Sequence, residues 1–227
     1  MAEVVISTLD HPAICLSAEG ALRWQYEADS DIPRVGRNMD ITSPVIADLD
    51  GDGISEVVTF DENVMIALDA DGSVVWKTVA SQSRVDATLT VADADQDGSP
   101  EIYAVDLSGN VVRVNADGVR MWTTNIGRRC RRGFSVADVD GDGVVEIVVS
   151  GYTGKIHIFT PDGVIEEEIA IGPATNASST VVDLLGDGGM CMVTPEATGN
   201  LTIHRWAPGS EDSNILVSGY RGGNART

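Results

Sequence analysis

Asp48-Leu-Asp50-Gly-Asp52-Gly-Ile54-Ser-Glu56 decides the reading of this chain, because it returns at a fixed interval. It reappears 45 residues later as Asp93-Ala-Asp95-Gln-Asp97-Gly-Ser99-Pro-Glu101, and 45 residues after that as Asp138-Val-Asp140-Gly-Asp142-Gly-Val144-Val-Glu146. A degenerate fourth copy, Asp183-Leu-Leu185-Gly-Asp187-Gly, follows at the same interval. The constant period indicates a repeat architecture. The acidic loop indicates a metal.

Positions 1, 3, 5 and 9 of each intact loop are carboxylates, and position 6 is glycine. Calcium takes six to eight oxygen ligands, often including a bidentate carboxylate, whereas magnesium prefers a smaller octahedral shell that retains water. A tight turn can aim positions 1, 3 and 5 at one point. The carbonyl of position 7 (Ile54, Ser99, Val144) can add a ligand, and Glu56, Glu101 or Glu146 can close the shell. Without a cation, each pair of like charges costs about 1 kcal/mol at roughly 4 Å even in bulk water. About three calcium ions are therefore expected, one per intact loop. In the fourth copy, Leu185 and Cys191 stand at positions 3 and 9, so no calcium is expected there. An EF-hand is excluded, since it needs twelve loop residues between helices.

Around the loops, short apolar runs alternate with turn residues. In the second unit the runs are 44–47, 57–60, 64–68 and 74–78, with turns at Asp61-Glu-Asn63 and Asp69-Ala-Asp-Gly72. The third unit repeats them at 89–92, 102–105, 111–114 and 119–123, the fourth at 134–137, 147–150, 156–159 and 164–169, and the fifth at 180–182, 192–194, 201–205 and 214–218. The N-terminal runs 3–6, 13–16 and 21–24 match strands two to four, and Ser17-Ala-Glu-Gly20 matches Asp69-Ala-Asp-Gly72. Four strands per period without a helix predict an all-β fold, a β-propeller of about five four-stranded antiparallel blades. It is read as one domain over 1–227, with units at roughly 1–40 (partial), 41–85, 86–130, 131–175 and 176–220. A five-bladed ring is the first expectation, with residues 219–227 helping to cover the missing first strand. The alternative is part of a seven- or eight-bladed propeller, or assembly with a second chain. Trp24, Trp76 and Trp122 each fall four residues after a turn glycine and are expected to pack between blades.

Asp-x-Asp-Gly-Asp-Gly-x-x-Glu in a strand–turn–strand setting resembles the calcium loop of FG-GAP/VCBS repeats, found in the propeller of integrin α chains and in many secreted bacterial propellers. The resemblance covers roughly residues 40–205. It implies calcium loops that mainly rigidify the blades. It also implies a role in adhesion, carbohydrate binding or, as in rhamnogalacturonan lyases, polysaccharide cleavage.

Composition narrows the function. The 227 residues carry 35 acidic and 15 basic side chains, a net charge of −20. Twelve of the acids belong to the three loops, and three calcium ions would offset only six charges. Nucleic acid and acidic membranes are therefore excluded as broad-face partners. No apolar run is long enough to span a bilayer. No leader pattern opens the chain, so any export signal is expected outside this sequence. Cys15, Cys130 and Cys191 are odd in number and far apart, which argues against a disulfide framework.

In an up-and-down blade the acidic loops, joining strands one and two, share one end. The blade-to-blade connections lie at the other. These connections carry Arg34, Arg37, Arg84, Arg128, Arg129, Arg131 and Arg132, seven of the fifteen basic residues. Guanidinium groups bind carboxylates and phosphates bidentately. The expected ligand is an acidic glycan or an acidic protein segment, bound by a non-catalytic recognition module outside the cytoplasm. The alternatives are a polysaccharide-lyase fragment or a structural segment without a ligand. His11, His157 and His204 form no local catalytic motif, and Glu166, Glu167 and Glu168 read as a solvated strand edge.

Overall fold

The computed structural model describes residues 3–8, 10–29, 31, 42–85, 87–130, 133–171, 178–206 and the backbone of 215–217. All its regular structure is β. The first sheet is β1 (Glu3–Ile6), β2 (Ala13–Ser17) and β3 (Leu22–Tyr26). The second is β4 (Val45–Ala47), β5 (Glu56–Asp61), β6 (Val64–Leu68) and β7 (Val74–Val79). The third is β8 (Thr90–Ala92), β9 (Glu101–Val105), β10 (Asn110–Val114) and β11 (Arg120–Asn125). The fourth holds β12 (Ser135–Ala137), β13 (Glu146–Ser150), β14 (Lys155–Phe159) and β15 (Ile165–Ala170), and the fifth holds β16 (Thr180–Val182), β17 (Cys191–Pro195) and β18 (Leu201–Arg205). Within each sheet these strands form an antiparallel meander in chain order, as the alternation of short apolar runs and turns requires. This is a β-propeller.

Burial follows strand position. The second and third strands are buried almost throughout, as in β5, β9 and β13, while the outer strands β7, β11 and β15 are mostly exposed. The first strands come together between sheets, with β4 near β8 and β12 near β16. Four apolar clusters join consecutive sheets, and each draws on strands from both sides, such as Val58, Met65, Ile102 and Val112 between the second and third. Among the described residues no such cluster joins the fifth sheet to the first.

Each outer tryptophan closes on the next blade. Trp24, Trp76 and Trp122 donate their indole N–H to the carbonyls of Ala70, Ala116 and Pro161 at 2.8, 2.8 and 2.9 Å. Their rings lie on Gly72, Gly118 and Gly163, where an added Cβ would sit 2.7, 2.6 and 2.4 Å from the indole. These glycines also have φ of +80 to +86°, required by the three-residue turn and the bulge beside it. The expected inter-blade role of the tryptophans therefore holds.

One strand departs from expectation. Residues 214–218 were expected as the fourth strand of the fifth unit. Instead β19 (Ile215–Val217) pairs antiparallel with β12, making the fourth sheet five-stranded. The first strand of a blade leaves one edge unpaired at the centre, and a short extended segment satisfies that edge as well as it would an outer one. Residues 219–227 lie outside the described residues.

Candidate metal loops and the opposite, arginine-bearing end

The acidic loops are built from their own backbone. In the first, Asp48 accepts the amides of Gly51 and Gly53 at 2.8 and 2.9 Å, Asp50 that of Asp52 at 3.1 Å, and Asp52 that of Ile54 at 2.7 Å. The third repeats this, with Asp138 accepting from Gly141 and Gly143 at 2.7 and 3.0 Å, Asp140 from Asp142 at 3.1 Å, and Asp142 from Val144 at 2.7 Å. Position 9 begins the second strand of the sheet and is buried. Glu56, Glu101 and Glu146 are 6, 2 and 2% exposed, and each accepts the amide of loop position 2 through Oε2.

Three carboxylate groups converge, with ligand oxygens all within 4.8 Å of one another: Asp48, Asp50 and Glu56; Asp93, Asp95, Asp97 and Glu101; Asp138, Asp140 and Glu146. These clusters could hold a metal ion. Asp52 and Asp142 are not part of their groups; each carboxylate is turned to the amide two residues on. Asp97 makes the same bond to Ser99 yet does converge. The side chains of Ile54 and Val144 are exposed. Converged carboxylates perturb one another. Burial, then the charges of Asp140, Asp138 and Glu166, push Glu146 up to about 8, and burial also raises Glu101.

The second loop carries a residue that the spacing of the acids did not reveal. Arg113 in β10 bridges Asp95 and Glu101, 3.0 Å from Glu101 Oε1, and donates to the Pro161 carbonyl at 2.9 Å. The signal was present in the sequence: a lone arginine inside Val111-Val-Arg-Val114 must find a carboxylate once its strand is buried. In the fourth copy, Asp183 still accepts the amides of Gly186 and Gly188, while Leu185 is exposed, Cys191 is buried and Asp187 pairs with Arg205. Position 1 thus shapes the turn in all four copies, and positions 3 and 9 distinguish them.

The blade connections pack on the turns between second and third strands, at the end away from the acidic loops. Val85 N–H donates to Glu62, Leu107 to Arg84, Ile126 to Gly109 and Tyr152 to Arg129. Of the seven arginines expected there, Arg128 and Arg129 are exposed, and the Arg129 guanidinium lies 4.9 Å over the Tyr152 ring. Arg84 is a correction. It is only 9% exposed, because its connection is tucked against Glu62 and Leu107, so it presents no charge to a ligand. Arg34, Arg37, Arg131 and Arg132 lie outside the described residues. His157 is buried, with Nδ1 3.0 Å from Glu168, and burial depresses its pKa. Glu166, Glu167 and Glu168 are all exposed, as expected of a strand edge. All three cysteines are buried and free. No helix among the described residues is long and apolar enough to cross a membrane.

A family model described as "Outer membrane protein assembly factor BamB" matches residues 2–210. No curated protein matches the chain. Among solved structures, BamB from Moraxella catarrhalis is 19% identical over 90% of this chain and 70% of its own, with a TM-score of 0.46. BBS1N in complex with ARL6DN is 10% identical over 89% and 60%, and quinohemoprotein alcohol dehydrogenase from Comamonas testosteroni 10% over 86% and 42%; both have a TM-score of 0.62 and share the fold. The chain thus spans 60% and 42% of the lengths of those two structures. The family match overturns the resemblance to FG-GAP/VCBS repeats. That resemblance rested on nine residues per period, a loop that any strand–turn–strand hairpin can carry, whereas the match runs through nearly every strand.

Proposed function

The chain belongs to the family described as outer membrane protein assembly factor BamB, and on that premise we propose that it is a non-catalytic interaction module working outside the cytoplasm. Its propeller is stiffened by calcium at the acidic loops and docks an acidic segment of a protein partner at the opposite end. The family description, an assembly factor, favours a protein partner. The observation that carries the reading is the separation of charge. In a chain of net charge −20, Arg128 and Arg129 stand exposed where the connections run, while the acidic loops occupy the other end. A guanidinium held over an aromatic ring is preorganised for bidentate contact with a carboxylate.

The loops fit calcium by chemistry: hard carboxylate oxygens, a turn shaped by its own aspartates and a buried glutamate at one side. When bound, calcium would neutralise the converged carboxylates of the first and third loops. The test is binding of a poly-glutamate peptide and of polygalacturonate, with calcium and with EDTA, by the wild type and by Arg128→Ala/Arg129→Ala. The reading predicts that the peptide binds and that the double variant weakens it about tenfold, roughly 1.4 kcal/mol. Peptide binding unchanged in the variant, or absent altogether, contradicts it. Binding of the polygalacturonate alone would reassign the ligand to an acidic glycan.

A further inference from the structure

The three intact loops differ at one point that a cation would feel. In the first and third, Glu56 and Glu146 use Oε2 for a backbone amide, at 2.7 and 2.8 Å, and Oε1 accepts no hydrogen bond from a described residue. Both side chains are more than nine-tenths buried and converge with their loop aspartates. In the second loop the equivalent oxygen is taken. Glu101 Oε1 lies 3.0 Å from Arg113 Nη2, and Oε2 accepts from the Ala94 amide at 3.1 Å and the Tyr103 hydroxyl at 3.3 Å. The same Nη2 donates to Asp95, so positions 3 and 9 are both engaged.

Arg113 cannot easily leave. Its side chain is 8% exposed, and Nη1 donates to the Pro161 carbonyl of the next blade, the same carbonyl that receives the Trp122 indole. The strand register places Ala67 and Ile158 at the equivalent positions of the second and fourth sheets. Ala67 lies opposite Val58 and Ile158 opposite Val148, as Arg113 lies opposite Tyr103. Neither can supply a charge. A divalent ion in the second loop would sit beside a buried guanidinium, where like-charge repulsion is weakly screened.

We propose that Arg113 is the resident cation of the second loop. That loop is closed without metal, and the chain takes two divalent ions, at the first and third loops, not three. The count rests on the calcium reading above; the role of Arg113 does not.

Two measurements test this. Calcium titrated calorimetrically into the wild type should give two equivalents. Arg113→Ile and Arg113→Ala, which install the residues of the equivalent positions, should give three, and Arg113→Lys should stay at two. Hydrogen exchange in EDTA should leave the wild-type amides of Gly98 and Ser99 at least tenfold slower than those of Gly53, Ile54, Gly143 and Val144. Adding calcium should slow only the latter. Three equivalents in the wild type, or second-loop amides exchanging as fast as the others in EDTA, overturn the proposal. If no loop binds calcium, the calcium reading fails by itself. Arg113 is then judged by whether Arg113→Ile accelerates exchange in the second loop alone; equal rates would sink it. Should the substitutions unfold the protein, the wild-type count and exchange rates still decide.

Discussion

Glu146 occupies the closed end of its loop, 2% exposed, with Asp138 and Asp140 drawn in beside it. Its folded pKa of about 8 lies well above the ordinary glutamate value, so the folded state holds a proton that the unfolded chain releases. Stability from this group is full below the ordinary value, and is lost as pH rises through the window up to about 8. Metal-free protein should therefore melt at progressively lower temperature between pH 5 and pH 8. Glu146→Gln, which cannot ionise, should flatten part of that fall in melting scans. A bound cation holds Glu146 ionised and should flatten it too. An identical slope in the variant would mean that the general repulsion of a chain at −20 is responsible instead. Glu101 is raised in the same direction, but Arg113 pulls against the rise.

At the scale of elements, the blades interlock through one repeated contact, an outer-strand tryptophan on the turn glycine of the next sheet. The contact stops at the fourth blade. There Glu167 stands four residues after Gly163, and Gly199 in the fifth sheet has open space around it. This makes a paired experiment possible. Gly118 and Gly199 both have positive φ, +80° and +89°, so Gly118→Ala and Gly199→Ala share a backbone strain of about 1 kcal/mol. Only Gly118→Ala also drives a methyl group into an indole, Trp76, 2.6 Å away. Chemical denaturation should show Gly118→Ala costing about 1–3 kcal/mol more. Equal losses would show that the tryptophan contact contributes nothing.

Most of this level was legible in the sequence. Strands such as β5 and β14 are short apolar runs between Asp/Gly turns, and local propensity and burial agree on them. Two features were hidden because their partners lie far along the chain. Residues 214–218 read as a strand, but which edge such a strand takes depends on which edges are open. Arg113 and Glu101 are twelve residues apart on neighbouring strands, and only the register between β9 and β10 brings them to one site. Arg84 was misread for a similar reason: charge suggested exposure, and the packing of its connection against Glu62 and Leu107 decided otherwise.

Across the whole molecule, the up-and-down course of every sheet sends the acidic loops to one end and the blade connections to the other. Net negative charge would repel an acidic partner from most of the surface. The exposed Arg128 and Arg129 offer an acidic partner positive charge at the connection end, and calcium at the far end would lower the repulsion further. Binding of an acidic partner should therefore weaken as salt rises from about 50 to 300 mM, since the attraction acts within a Debye length of roughly 10 Å. The most direct test of this account is a hydrogen-exchange footprint of a bound poly-glutamate peptide in the presence of calcium. The account predicts slowed exchange at residues 106–110, 126–130 and 150–154, with the acidic loops unchanged. Slowing at the acidic-loop end, or no footprint at any peptide concentration, would contradict it.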